Sequence, residues 1–125
     1  MRFPDDAPVT PQKREALRLK LRQLGVDLAA VDEQAIRASG PGGQKVNKTS
    51  SGVLLRHQLG AELVIVKWTR ERHHALNRFL ALRELADEIE VRVSPGTSPR
   101  LREAARLRKQ KDRRRRRAKG GGDGA

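Results

Sequence analysis

Residues 53–68 read VLLRHQLGAELVIVKW, two runs rich in Val, Ile and Leu that are separated by Gly60 and Ala61. Runs of this length and composition predict β-strands over Val53–Leu59 and Leu63–Trp68, and the pair between them favours a hairpin turn. Alternation along the second strand divides its apolar side chains between two faces, with Val64, Val66 and Trp68 on one and Leu63 and Ile65 on the other.

The segment after this hairpin predicts a long amphipathic helix that covers the sheet. We expect Thr69 to cap it and expect it to end near Glu90. Its apolar residues recur at steps of three and four, which is the spacing of one helix face. These residues are Ala75, Phe79, Leu82, Ala86 and Ile89, with Leu76, Leu80 and Leu85 widening the stripe.

The N-terminal part predicts one more helix and one weaker strand. Thr10-Pro11 is a favourable helix start, and Gly25 is a plausible stop, so we expect a helix over residues 11–24. Residues 1–9 are expected to be disordered, and Val31 to Ala38 is a candidate third strand.

Together these elements predict an α+β fold: a small three-stranded sheet packed by one long helix, with an N-terminal helix and a protruding loop between the first two strands. The expected organisation is an N-terminal extension over 1–26, a central domain over 27–93, a linker over 94–99 and a basic tail over 100–125.

Positive charge is concentrated in the tail. The net charge of the chain is +13, and residues 100–119 hold twelve Lys or Arg against two acidic residues, a local net charge of +10. Such a segment favours a polyanion, of which nucleic acid is the commonest; a solvated, disordered tail is the alternative. We expect it to be helical over Leu101–Lys111 and flexible beyond.

Several other classes of site are excluded by the residues present. There is no cysteine, the spacing from Gly40 to Lys45 is wrong for a phosphate-binding P-loop, and adjacent His73 and His74 point in different directions on a helix. We therefore expect no metal and no cofactor. No apolar stretch reaches the roughly 20 residues that span a bilayer, so no membrane partner is expected.

Residues 39–51 read SGPGGQKVNKTSS, which is incompatible with regular secondary structure. Gly42 and Gly43 allow a close backbone approach to a substrate, and Gln44 supplies a side-chain amide and a backbone N–H. A preorganised N–H that meets a developing oxyanion contributes about 2.7–4 kcal/mol in acyl transfer. The Gly-Gly-Gln triplet alone would be typical of a mobile turn, but polar residues suited to phosphate and ribose follow it directly.

This stretch resembles the signature of class I peptide-chain release factors. The segment VLLRH at Val53–His57 and the pattern Arg72…Asn77-Arg78 are also similar to that family's catalytic domain, over roughly residues 27–90. The chain has no room for codon-reading domains, so it looks like the compact branch of stand-alone rescue factors, and its Gly-Pro-Gly-Gly-Gln form is closest to the mitochondrial-type factor and its bacterial relatives. His73-His74 departs from the Ser-Gln usual in the family.

The resemblance implies a ribosome-dependent peptidyl-tRNA hydrolase in which the catalytic residues are Gly42, Gly43 and Gln44, with Gln44 N5-methylated by a glutamine methyltransferase. The implied partners are large-subunit ribosomal RNA, peptidyl-tRNA and the messenger channel of the ribosome, and we expect a monomer. The expected RNA contacts are Ser39, Pro41, Lys45, Asn47, Lys48, Thr49, Arg72, Arg78, Arg106, Arg108, Lys109, Lys111, Arg113, Arg114, Arg115, Arg116, Arg117 and Lys119.

Two questions stay open at the level of sequence. The substrate is either a stalled whole ribosome or a split large subunit that still holds peptidyl-tRNA. The alternative function is a non-catalytic ribosomal RNA-binding or assembly protein. A start without a basic, apolar leader and a composition rich in Arg and Ala favour a bacterial cytoplasmic protein.

Overall fold

The computed structural model describes residues 1–37 and 51–123, with side chains through residue 118. Its helices and strands confirm the predicted α+β class. Two compact units are formed, Met1–Ile89 and Glu90–Ala125. In chain order the elements are α1 (Pro11–Gln23), β1 (Asp32–Ile36), β2 (Gly52–Leu59), β3 (Glu62–Trp68), α2 (His74–Val93) and α3 (Pro99–Asp123), with short 3₁₀ turns at Leu28–Ala30 and Pro95–Thr97.

The three strands form one antiparallel sheet in the order β1-β2-β3. The predicted hairpin joins β2 to β3, and Leu59 pairs with Glu62 at its turn. Gly60 has φ +59° there, a left-handed conformation that glycine adopts without strain. The strand expected over Val31 to Ala38 is present as β1, which pairs with β2.

One face of the sheet is buried and the other is open to solvent. The predicted alternation is confirmed, because Val64 and Val66 are buried whereas Leu63 and Ile65 are each about half exposed. The inner face continues onto β2, where Leu55, which pairs with Val66, and Val53, which pairs with Trp68, are fully buried.

Helix α2 supplies the other side of the core. Five predicted stripe residues are buried: Ala75, Phe79, Leu82, Ala86 and Ile89. The predicted start at Thr69 is wrong by several residues, since α2 begins at His74. The Asn77 side chain forms hydrogen bonds with both backbone groups of Glu71, which keeps Glu71 in the connection before the helix. At the start of α2, the backbone N–H of Asn77 donates to the His73 carbonyl oxygen. The helix ends at Val93, three residues beyond the expected position.

Helix α1 begins as predicted, with the Thr10 side chain accepting a hydrogen bond from Lys13 N and with proline in the first turn. The chain leaves the helix through Gly25, at φ +70°. Leu17 and Leu21 enter the same core as the sheet and α2. The Lys20 ammonium and the Asp87 carboxylate also join α1 to α2 through an ion pair.

The expectation that residues 1–9 are disordered is wrong. The Met1 nitrogen donates to the carbonyl oxygens of Leu28 and Val31, at 2.7 and 2.9 Å. The Arg18 guanidinium lies 4.1 Å from the centre of the Phe3 ring. Backbone carbonyls and a guanidinium supplied by distant parts of the chain therefore hold this segment, and its composition does not reveal them.

In the second unit, α3 continues through Asp123 and does not stop at Lys111 as expected. Arg, Lys, Ala and Gln all have high helix propensity, and residues 100–119 contain neither Gly nor Pro. Within the part of the chain that the structure describes, no helix is long and apolar enough to cross a membrane.

The burial of α1 predicts that truncating its inner side chains destabilises the first unit. Leu21→Ala should lower the free energy of unfolding by about 2–5 kcal/mol, because it leaves a cavity under the helix. Leu19→Ala is the matched control, since Leu19 is 50% exposed on the same helix. Urea denaturation of both variants measures the difference, and equal losses would show that α1 is not part of the core.

Candidate functional site

The loop predicted to carry catalysis lies outside the described residues, which stop at Arg37 and resume at Ser51. The roles of these residues therefore stay predictions. They are Gly42, Gly43 and Gln44 for catalysis and Ser39, Pro41, Lys45, Asn47, Lys48 and Thr49 for RNA contact.

The structure does describe the two points at which this loop joins the sheet. Ile36, the last residue of β1, pairs with Gly52, the first residue of β2. Both ends of the intervening segment therefore meet at one end of the sheet, on neighbouring strands. Val53, the second residue of β2, pairs with Trp68, so the last residue of β3 lies at the same end of the sheet.

Ser51 is fixed there by the first turn of α2. Asn77 Nδ2 donates to the Ser51 carbonyl oxygen at 2.6 Å, and His74 Nδ1 lies 3.1 Å from the same oxygen. The Asn77 side chain is fully buried. It also bonds both backbone groups of Glu71, donating to the carbonyl at 2.8 Å and accepting from the amide at 3.0 Å.

The space around Gly52 is too small for a side chain. A Cβ atom added to Gly52 would lie 2.7 Å from Thr69 Cγ2 and 3.0 Å from the Ile36 carbonyl oxygen. A side chain at this position would therefore push apart β1 and the connection between β3 and α2. We call the group formed by Ile36, Ser51, Gly52, Glu71 and Asn77 the loop anchor.

Arg78, a predicted RNA contact, is engaged inside the protein. Its Nε donates to Glu33 Oε2 at 2.6 Å, and its Nη2 donates to the Arg2 carbonyl oxygen at 2.9 Å. Only 16% of the Arg78 side chain is exposed. The ion pair ties β1 to α2 next to the loop anchor, and an RNA contact by Arg78 stays a prediction. Arg72, by contrast, is exposed in the connection before α2.

A further arginine at this end of the sheet was not expected from the sequence. The Arg70 guanidinium lies 4.8 Å from the centre of the Trp68 ring, in a cation–π contact. Three residues to which the sequence assigned no structural role make hydrogen bonds or ring contacts within the protein: Asn77, Glu33 and Arg70. The signals that could have found them are an amide near the start of a long amphipathic helix, a carboxylate in a candidate strand, and an arginine two positions after a tryptophan.

The predicted RNA contacts of the tail belong to α3. The described side chains of this set are exposed: Arg106, Arg108, Lys109, Lys111, Arg113, Arg114, Arg115, Arg116 and Arg117. Successive helix positions point about 100° apart, so five consecutive arginines place positive charge on every side of α3. The hydrogen bond from Arg106 lowers the pKa of Glu103, and the bond to Glu103 raises the pKa of Arg106. Lys119 lies in the helix, and its side chain is outside the described set.

Within residues 1–37 and 51–118, no group of three or more His, Asp or Glu side chains is placed to hold a metal ion. In the loop anchor, the hydrogen bonds of the Asn77 side chain go to backbone groups of Ser51 and Glu71.

Comparison with known proteins identifies the family. The RF-1 domain family matches residues 20–122, most of the chain. The chain belongs to this family. The release-factor resemblance seen in the loop and its flanks is therefore confirmed.

Its similarity to individual proteins is consistent with that assignment. The chain is 33% identical to the human protein named mitochondrial translation release factor in rescue, over 82% of this chain and 61% of that one. It is 38% identical to the zebrafish protein of the same name, over 67% and 53%. It is 43% identical to an uncharacterised mitochondrial release factor-like protein of Saccharomyces cerevisiae, over 64% and 52%. The chain spans about half to three fifths of the length of these relatives.

The expected bacterial cytoplasmic location is contradicted by these comparisons. The matched relatives are eukaryotic, and their names describe mitochondrial proteins. Composition reflects codon usage and surface chemistry, which differ too little between compartments to have decided the location.

Because Arg78 is largely buried and Arg72 is exposed, we expect their substitutions to change the free energy of unfolding by different amounts. Arg78→Met should lower the free energy of unfolding by about 1–3 kcal/mol, because Glu33 loses a charged hydrogen-bond partner. Arg72→Met should change it by less than about 0.5 kcal/mol, as is usual at exposed positions. Chemical denaturation compares the two variants, and an unchanged midpoint for Arg78→Met would contradict the structural role of the ion pair.

Proposed function

We propose that this chain is a codon-independent ribosome-rescue factor, which hydrolyses the ester of peptidyl-tRNA in the peptidyl-transferase centre through Gly42-Gly43-Gln44. The observation that carries the proposal is the family match over residues 20–122. Two of the relatives are named as release factors in rescue, which supports the same role for this chain. The loop sequence at residues 39–51 supports the choice of catalytic residues.

In the proposed reaction, water attacks the ester carbonyl carbon, and the bond to the terminal ribose oxygen of the tRNA breaks. The proton lost by the water is transferred to that ribose oxygen. The backbone N–H of Gln44 donates to the oxyanion formed in between, where one such donor is worth about 2.7–4 kcal/mol. Gly42 and Gly43 let the main chain approach closely, since neither carries a Cβ.

The ribosome supplies what the chain lacks. Ribosomal RNA and the ribose of the tRNA position the water and the leaving oxygen. We also propose that Gln44 is N5-methylated by a glutamine methyltransferase, and that the chain acts as a monomer.

The loop anchor gives the proposal a structural basis. A catalytic tip has to be extended away from its own domain and still be aimed accurately. Pairing of Ile36 with Gly52 brings both ends of the loop to one end of the sheet, and Asn77 fixes Ser51 there. In this way a rigid domain can present a catalytic loop to a substrate that is bound by the ribosome.

Helix α3 is the segment that we propose binds ribosomal RNA. Its 25 residues extend about 37 Å at 1.5 Å per residue. Exposed cations around the helix can contact phosphates on more than one RNA segment. Such contacts would hold the factor either at the messenger channel of a stalled whole ribosome or on a split large subunit.

The catalytic proposal is tested by peptide release. Gly43→Ala should abolish release from ribosomes and leave ribosome binding intact, because a Cβ on Gly43 blocks the close approach of the main chain that presents the Gln44 N–H. Gly96→Ala is the matched control, a glycine outside the loop whose added Cβ would meet no atom within 4 Å. The assay compares ribosomes stalled on truncated messenger, ribosomes stalled on intact messenger, and large subunits that hold peptidyl-tRNA. Parental release by Gly43→Ala on every substrate would refute the assignment, as would turnover without ribosomal subunits.

The role of α3 is tested by the salt dependence of ribosome binding. Changing Arg113–Arg117 to glutamine should reduce the slope of log K against log salt by about 3.5, since each neutralised phosphate contributes about 0.7 on single strands. Changing the same five residues to lysine keeps both charge and helix propensity and should leave the slope unchanged. Equal slopes for the glutamine variant and the parent would show that these arginines do not contact phosphate.

A further inference from the structure

Asn77 combines a polar side chain with complete burial in the first turn of α2. The residue is fully buried, between Ala75 and Phe79, which are also buried. Burying an amide without partners is unfavourable, so its hydrogen bonds decide whether the residue is tolerated at all.

The partners of Asn77 use three of the four hydrogen bonds that its amide can make, all at one place in the fold. Both hydrogens of Nδ2 are used, one on the Ser51 carbonyl and one on the Glu71 carbonyl, and Oδ1 accepts from the Glu71 amide. An aspartate would retain the acceptor and lose both donors. A glutamine would place the same groups one methylene farther from the helix. The geometry therefore specifies asparagine.

The bonded groups are all main-chain atoms, and they belong to two segments that have no regular structure. Ser51 is the first described residue after the loop, and Glu71 lies in the connection between β3 and α2. Gly52 is held from the other side, against Thr69 and Ile36. Asn77 thus links the rigid first turn of α2 to the point at which the loop rejoins the sheet.

We infer that Asn77 is a positioning residue for peptide release, which sets the direction in which the loop leaves the sheet. This inference rests on the proposed function of Gly42-Gly43-Gln44. Asn77 does not touch substrate in this scheme, because its side chain is fully buried. It acts through Ser51, and a displaced Ser51 carries the loop backbone with it.

A positioning role has a kinetic signature that differs from that of a binding residue. A displacement of about 1 Å in the reacting groups can cost about 100-fold in rate. Binding to the ribosome relies on surfaces such as α3, which the change does not touch. Loss of Asn77 should therefore lower the maximal release rate and leave the half-saturating concentration of factor almost unchanged.

The experiment uses the full chain and three variants in single-turnover release from ribosomal substrates. Asn77→Ala removes all three bonds, and Asn77→Asp keeps the shape and loses the two donated bonds. Ile89→Ala is the matched control, because Ile89 is buried on the same helix about 18 Å farther along, at 1.5 Å per residue. It destabilises the core without touching the loop anchor. Thermal unfolding identifies a temperature at which every variant is folded.

We expect both Asn77 variants to lower the maximal release rate by about 10-fold to 100-fold, with the half-saturating concentration within about 2-fold of the parent. Ile89→Ala should release at the parental rate. Release by Asn77→Ala at the parental rate would overturn the inference, and so would an equal loss of rate in Ile89→Ala, which would reduce the effect to general stability.

Amide hydrogen exchange separates this inference from the proposed function. Asn77→Ala should speed exchange at Gly52 and Glu71 relative to Ala86, whether or not the protein releases peptide. If the parent released nothing, the proposed function would fail while faster exchange still supported the anchoring role. Unchanged exchange at Gly52 and Glu71 would remove the anchoring role itself.

Discussion

The structure of the first unit depends on the contact between the inner face of the sheet and the apolar stripe of α2. The inner face of the three-stranded sheet is apolar, and it is stabilised when a cover removes it from water. Val53 and Leu55 provide that face, and Phe79 and Leu82 belong to the same buried core. Each fully buried side chain of this kind contributes about 1.5–3 kcal/mol relative to exposure. The packing also brings the first turn of α2 to the end of the sheet where β1 and β2 meet the loop.

Polar interactions then decide what the packed core leaves undetermined. Hydrophobic burial has no direction, so it cannot specify the path of a loop backbone. The Asn77 amide and the Glu33–Arg78 ion pair are directional, and both join α2 to segments near the loop anchor. The proposed function requires both burial and directional polar contacts, because the loop has to extend from the domain while its ends stay fixed.

The second unit is stabilised by helix propensity and not by a buried core. α3 buries few side chains, and its helical state is favoured by residue propensity and the lack of glycine or proline over residues 100–119. Its positive charge is evident from composition, but the helix extends past the expected end at Lys111, although like charges on neighbouring turns repel one another. Propensity outweighs that repulsion here, since exposed charges on a helix are screened by solvent and salt.

The sequence by itself determined the fold class, the pairing of β2 with β3 and the buried face of α2, because hydrophobic periodicity and turn residues are local properties. It also identified the family, through a motif long enough to be specific. Only the tertiary structure decided the start of α2, the order of residues 1–9 and the internal use of Arg78. Each of these depends on a partner distant in the chain: Ser51 for Asn77, Leu28 for Met1 and Glu33 for Arg78. A hydrogen bond between distant residues leaves no periodic trace in the sequence, so folding has to bring the two groups together before either role can be recognised.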